Sequence, residues 1–491
     1  MAARAPWRDV IVLGATVALA QTLWIALPSE LRRNESGDYL GFYEPVARSL
    51  CAGRGIVTSA GEPATRYPPG YPFLLACVFR AAALTHLSDE AAIRAFHLLC
   101  AGITTVLLRR LARRLWSSRE ALAVALAWIT YPPALWLTRQ PSSELPFLIP
   151  FFGAALAFVK GWRQRRHRAL WFFLAGTQAG IASLIRPIGA GLGILLVSLI
   201  WLVRSGSGGR HRIVLSVALL LGNATLVVPW EAFAWRTTGR WVPLSAGSPA
   251  SVLDGWTYAV NPDKVHHPGL PLPGDVESLM STFLSRRDEF VTVSNAVVVI
   301  LQESLARPRA ALELVALKAA RSWYATDSGR FESATLLIQS VYAGAILLAT
   351  WFAWRRGGAR RRLASAVWLV LAYFWGLTIL VLSIARYMVP AIGLGFLLLP
   401  HIGRIQLRGT RSATQTAPAT GTRACQTEGR QAGPQDAHRP ADRGRLTCIP
   451  RTAAATCRWG PSRARGRRNR ARADRTGPRA RNPPGRGTRR R

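Results

Sequence analysis

Acidic residues are scarce in this chain: 25 Asp and Glu stand against 63 Lys and Arg in 491 residues, for a net charge of +38. On a soluble chain such an excess would point to nucleic acid. The hydrophobic pattern excludes that reading, because half of the residues are hydrophobic and they arrive in long uninterrupted runs rather than short alternating ones. That is membrane composition. From 403 to 491 the chain has 23 Arg, no Lys and four acids, so +19 sits there and the other +19 lies in loops between apolar runs. Basic loops beside apolar spans follow from the positive-inside rule and require no polyanion partner.

A disulfide framework is also missing, although there are six cysteines. Cys77 and Cys100 lie in apolar segments, Cys425, Cys448 and Cys457 in the basic tail, and Cys51 in an expected external loop, a scatter that builds no set of bridges. No small-residue cleavage site precedes Pro28, so the first apolar run reads as a retained helix and not a signal peptide. His and acids do not cluster with metal-ligand spacing; His266 and His267 are adjacent in a polar loop and read as solvated.

What is present is a series of spans of roughly 16–22 apolar residues, at 10–27, 91–108, 121–138, 145–159, 169–185, 188–203, 213–230, 334–354, 363–384 and 389–402. The fold class expected is therefore an all-α integral membrane protein with about ten transmembrane helices. Arginine clusters at 109–114, 163–168, 204–212 and 355–362 mark alternate loops as cytoplasmic. The apolar run at 72–85 is short and holds Arg80, which would cost about 2.5–3.5 kcal/mol near a bilayer centre, so it is read as a juxtamembrane or re-entrant helix. Residues 1–402 then form the membrane domain, with two large external loops at 28–90 and 231–332, the second carrying an amphipathic stretch around 291–317 and expected to cover the site and select the acceptor. The tail at 403–491 is rich in Arg, Pro, Gly, Ala and Thr, and reads either as a basic disordered segment or as a frameshift product.

The first external loop holds the densest chemistry. It opens with Ser36-Gly37-Asp38-Tyr39, passes Tyr43 and Glu44, bends at Gly53-Arg54-Gly55, and closes on Arg66-Tyr67-Pro68-Pro69-Gly70-Tyr71-Pro72. Tyr39, Tyr43, Val46, Ala47 and Leu50 recur at helical spacing, which puts Asp38 at the start of a short amphipathic helix beside the outer membrane surface. Asp38 there is either a helix cap or a reactive carboxylate. Proline and glycine in the closing stretch fix an extended segment and a sharp turn into the next helix. Arg186-Pro187 and Arg386-Tyr387 stand at external helix ends, where an unpaired charge is costly and either snorkels to the headgroups or serves a function. Glu144, before Leu145-Pro146, is either an interfacial cap or part of the same cavity.

These motifs resemble the first loop of the GT-C membrane glycosyltransferases, nearest the dolichyl-phosphate-mannose protein mannosyltransferase group and the lipid A aminoarabinose transferase. The resemblance covers residues 7–402 in layout. It implies a transfer of sugar from a polyprenyl-phosphate donor to a hydroxyl of a glycolipid, glycan or protein on the extracytoplasmic face of a bacterial-type plasma membrane. Asp38 matches the family's catalytic carboxylate, although many relatives have an Asp-Glu pair where this chain has Asp38-Tyr39. Tyr39, Tyr43, Glu44, Arg66, Tyr67, Tyr71, Glu144, Arg186, Arg386 and Tyr387 are the candidate substrate-binding residues. No cofactor or metal is expected; the partners are the lipid-linked sugar, its acceptor and membrane lipid. A transporter or flippase, with charges at the midplane and inverted repeats, and a non-catalytic envelope assembly protein are the alternatives. No repeat is visible, and the charges gather at one face.

Overall fold

The computed structural model describes residues 7–403 apart from 35, 165, 204–207, 263–271 and 328. The basic tail and His266 and His267 fall outside the described residues. Within them the regular elements are helices, and one isolated bridge, Val57 with Pro63, closes a turn in the first loop.

Seven helices are long and apolar enough to cross a membrane: Trp7–Ala26, Asp89–Leu115, Glu144–Arg163, Arg168–Ile185, Gly209–Thr238, Glu332–Arg356 and Gly358–Leu380. Each corresponds to one expected span. The remaining three expected spans are shorter or broken, and the sequence supplies the reasons. The run at 121–138 is divided into Ser118–Ile129 and Pro132–Trp136, because Pro132 and Pro133 cannot continue the hydrogen bonding of the preceding turn. After Arg186-Pro187 the next apolar helix is only Pro187–Leu202. At 389–402 a short helix, Val389–Gly395, gives way to a tighter turn at Phe396–Leu398 before Pro400. The segment expected to lie at the surface is a helix, Gly70–Thr85.

Close helix packing is set by glycine where the lipid offers no hydrophobic drive. Helices Arg168–Ile185 and Gly209–Thr238 touch along a seam where a methyl on Gly176 would run into the Leu219 carbonyl and one on Gly222 into that of Phe173. The first helix, Trp7–Ala26, buries only Val12, Thr16 and Ala20. Its other faces are left for lipid.

The second external region differs from the loop expected at 231–332. The helix before it runs on to Thr238, and four further helices follow: Ser248–Trp256, Gly274–Ser285, Val293–Ala306 and Pro308–Tyr324. They enclose their own apolar core around Trp256, Leu279, Met280, Phe283, Ile300 and Leu314. This cap is fastened to the bundle at the segment after helix Gly358–Leu380. Trp256 donates its indole N–H to the Leu380 carbonyl at 2.8 Å, and Gly255 lies so close that a Cβ would collide with the Val381 carbonyl. Lys318, fully buried in the cap helix Pro308–Tyr324, hydrogen-bonds the carbonyls of Gly255 and Val381 and lies 5.1 Å from the Trp256 ring.

Candidate active site

The first loop is helical from Gly37 to Cys51, with a wider turn over Tyr39–Tyr43. Asp38 does not cap it. The Tyr39 N–H is taken by Ser36 Oγ at 3.3 Å, and the exposed Asp38 carboxylate instead accepts the Tyr67 hydroxyl at 2.9 Å. Tyr67 is held by an aromatic cluster. Its ring lies 5.2 Å from Phe42 and 5.3 Å from Tyr43, and Tyr43 in turn packs edge-on to Tyr71 at 4.9 Å. Burial pushes the Tyr67 hydroxyl well above its ordinary range, and the Asp38 charge adds to it, so the phenol stays a donor to the carboxylate.

Gly70 explains why the Pro-Pro-Gly-Tyr turn sits where it does. A Cβ there would lie 2.5 Å from the Leu184 carbonyl, so only glycine lets the start of this helix press against the end of Arg168–Ile185. That contact holds Tyr67 and Tyr71 against Tyr43, the member of the cluster on which the Arg186 charge acts. Tyr71 is fully buried, and its hydroxyl meets His97 Nε2 at 3.3 Å. The same nitrogen lies 3.2 Å from the Ser142 N–H and 3.0 Å from its carbonyl, and Nδ1 lies 2.9 Å from the Ile93 carbonyl. His97 thus ties the aromatic cluster to the turn that carries Glu144.

Glu144 is buried, 6% exposed, at the start of helix Glu144–Arg163. Its Oε1 lies 2.5 Å from Arg186 Nη1 and 3.3 Å from Arg386 Nε, so one carboxylate bridges two guanidiniums. Arg186 also donates to Ser143 Oγ at 3.0 Å. Arg386 reaches outward to Asp327, half-exposed, at 3.1 Å. Both guanidiniums sit near the Tyr387 ring, at 4.9 and 5.3 Å. Burial alone would lower both arginines; the carboxylates around them more than offset it and hold each above its ordinary range. Leu137, Phe147, Leu148, Ile188 and Pro390 form the apolar wall of the small cavity beside these charges. Asp38 lies close enough for its charge to act on Asp327 and on Tyr43, which also senses Arg186.

The structure therefore gathers Asp38, Tyr43, Tyr67, Glu144, Arg186, Arg386 and Tyr387 at one end of the bundle. Others among the candidates stand apart. Glu44 pairs with Arg48 at 2.6 Å, Arg48 with Asp89 at 3.0 Å, and Tyr39 faces this exposed trio. Arg66 lies over the Tyr67 ring at 5.4 Å, and its carbonyl accepts from Ser245 Oγ and Gly247 N–H, which joins the first loop to the cap. Tyr71 backs the cluster and is joined to the turn of Glu144 only through His97. Sequence reasoning gave Asp327 no role. Its only signal was an acid among Lys318, Arg321 and Arg330 ahead of a long apolar helix. Among the described residues, no three of His, Cys, Asp or Glu come together as a metal set.

A sequence model of the dolichyl-phosphate-mannose-protein mannosyltransferase family matches residues 66–235, from the Tyr67 turn to the end of helix Gly209–Thr238. No curated protein matches the sequence. Among solved structures, the Archaeoglobus fulgidus oligosaccharyltransferase in its apo form covers 86% of this chain at 11% identity and a TM-score of 0.54. The same enzyme tethered to an acceptor peptide covers 84% at 13% identity and a TM-score of 0.51. ArnT from Cupriavidus metallidurans, bound to undecaprenyl phosphate, covers 84% of this chain and is covered over 82% of its own, at 14% identity and a TM-score of 0.39. The chain spans about half the length of the oligosaccharyltransferase, 53% and 51% in the two structures. What is shared at this identity is the fold: a multi-pass membrane protein of the GT-C architecture.

Proposed function

We propose that this GT-C membrane protein transfers a sugar from a polyprenyl-phosphate donor to an acceptor hydroxyl at the extracytoplasmic face, by metal-independent displacement with inversion. The family match supports a lipid-phosphate sugar as donor. The observation that carries the reading is the meeting of an exposed carboxylate, Asp38, with two guanidiniums, Arg186 largely buried and Arg386 partly so, at one aromatic-lined end of the bundle.

In this reading the Asp38 carboxylate takes the proton of the acceptor hydroxyl as its oxygen attacks the anomeric carbon. The new oxygen–carbon bond forms on one face of the sugar while the bond to phosphate oxygen breaks on the other, which inverts the centre. The departing polyprenyl phosphate carries the electron pair, and Arg386, backed by Arg186, stabilises that charge. Tyr67 holds Asp38 in place. Tyr387 sits beneath the guanidiniums and keeps their planes oriented. The cap of helices from Ser248 to Tyr324 covers this end of the bundle and selects the acceptor.

The test uses membranes containing the full chain, radiolabelled polyprenyl-phosphate sugars, and extracted glycolipid or protein as acceptor. Asp38→Asn should insert and bind donor normally yet lose about 10²–10⁴-fold in transfer. Near wild-type transfer by this variant would mean that the carboxylate is structural. Arg386→Ala should weaken donor binding, because the phosphate loses its partner. Donor-dependent sugar movement across the membrane without transfer to any acceptor would favour the transporter reading.

A further inference from the structure

At the opposite ends of the helices from Asp38 lies a second feature that sugar transfer does not use. Helices Leu192–Leu202, Glu332–Arg356 and Gly358–Leu380 leave an open groove of about 710 Å³ between them, lined by Val197, Trp201, Leu202, Trp354, Trp368 and Leu369. That volume falls within the roughly 300–1,000 Å³ typical of small-ligand sites. Two of the polar groups on its walls are engaged elsewhere: Trp368 Nε1 donates to Thr350 Oγ1 at 2.9 Å, and Ser198 Oγ donates to the Ile194 carbonyl at 3.0 Å; Ser365 is the other hydroxyl on the wall, and the remaining lining is aliphatic and indole. The floor is therefore apolar.

The rim is cationic. Two of the three tryptophans carry an arginine on the ring, Arg212 at 5.7 Å from Trp201 and Arg361 at 6.0 Å from Trp354. Among the described residues no carboxylate pairs with Arg361. Trp201 and Trp354 remain 45% and 53% exposed. Both are within a turn or two of a helix end, the depth at which tryptophan marks a membrane interface. Arginine-rich loops put this end of the bundle on the cytoplasmic side.

We propose that the groove is a binding site for one anionic glycerophospholipid of the cytoplasmic leaflet. An acyl chain lies against Val197, Leu202, Leu369 and the tryptophan rings, and the phosphate of the headgroup lies between Arg212 and Arg361. Charge decides the occupant. A second copy of the chain would bring one basic rim against another. A zwitterionic lipid fills the apolar floor but places its own cation against the guanidiniums. The site is separate from the proposed donor site: along helix Gly358–Leu380 the rim residue Arg361 lies roughly 28 Å, and the deepest lining residue Leu369 roughly 16 Å, short of Leu380.

Native mass spectrometry of the full-length protein, titrated with phosphatidylglycerol and separately with phosphatidylcholine, tests the proposal. Phosphatidylglycerol should bind to saturation at one copy per chain. Arg212→Gln and Arg361→Gln should each weaken it about fivefold, with phosphatidylcholine unaffected. Ser198→Trp, which fills the groove and leaves the arginines in place, should abolish the site and decides the matter if either arginine variant fails to insert. Equal binding of the two lipids, or phosphatidylglycerol binding unchanged by Ser198→Trp, would overturn the proposal. So would displacement by inorganic phosphate alone, or by polyprenyl phosphate at one equivalent.

Discussion

The two ends of the helical bundle treat positive charge in different ways. At the Asp38 end many of the guanidiniums meet carboxylates: Arg186 and Arg386 meet Glu144, Arg386 Asp327, Arg321 Glu332, and Arg48 Glu44 and Asp89, while Arg66 and Arg94 rest on the rings of Tyr67 and Trp24. At the other end Asp9 pairs with Arg109 and Arg110, but much of the positive charge is seated on indole rings. Lys160 lies 4.5 Å from Trp171, Arg355 4.1 Å from Trp351, and Arg212 and Arg361 lie on Trp201 and Trp354. The difference follows from solvent access. A guanidinium that leaves water must find a carboxylate, whereas one at the membrane surface keeps its head wet and rests its stem on apolar side chains. One end is built as a site, and the other as an anchor.

The contrast can be broken most directly at Glu144. Glu144→Ala leaves the largely buried Arg186 without a carboxylate and Arg386 with Asp327 alone, and thermal unfolding of the purified protein should show a loss of about 3 kcal/mol. An equal loss from Arg360→Ala at the other end would show that the ends do not differ. Lys318 in the cap departs furthest from that pattern, being fully buried and held by carbonyls and not by an acid. Burial pulls its amine down from 10.5 to about 7, with Arg321 adding to the shift. The unfolded chain then binds one more proton than the folded one between those values. Stability should therefore rise with pH from about 7 to 10, by at most about 1.4 kcal/mol per unit, and should stay flat below. Lys318→Met should remove the slope, and a slope that survives this substitution belongs to another group. The smallest effect is expected at the anchor: Arg355→Gln should cost about 0.5–1 kcal/mol, the worth of one exposed cation–π contact. A cost matching that of Glu144→Ala would erase the distinction from the other side.

How far the sequence foretold this depended on the length scale of each signal. The long spans were legible because twenty apolar residues in a row have few other uses. The breaks at Pro132-Pro133 and around Phe396–Leu398 were not, since a hydropathy run does not register a change of direction inside it. Asp38, Tyr67 and Gly70 stood out through local turn chemistry. Glu144 was read as either a cap or a cavity residue, because the partners that decide between them, Arg186 and Arg386, lie at distant places in the chain and meet only in the fold. Of the cap helices from Ser248 to Tyr324, only the amphipathic stretch around 291–317 was legible, and it holds Val293–Ala306 and most of Pro308–Tyr324; the other two were taken for loop. They are short and amphipathic, and their stability comes from the shared core around Phe283 and Leu314, which no single segment reveals.

Asp327 has a consequence for turnover. It is half-exposed and already sits 3.1 Å from the guanidinium proposed to receive the donor phosphate. A phosphate arriving at Arg386 must therefore exchange with this carboxylate and cannot simply fill a vacancy, so part of its attraction is spent on the exchange. The same competition favours departure, because the carboxylate returns as the spent lipid phosphate leaves and the guanidinium is never stranded without an anion. Such a resident competitor weakens capture and hastens release together. It suits a transferase whose substrate and by-product are both anionic lipids confined to one membrane, where a site that held either too well would fill with spent carrier.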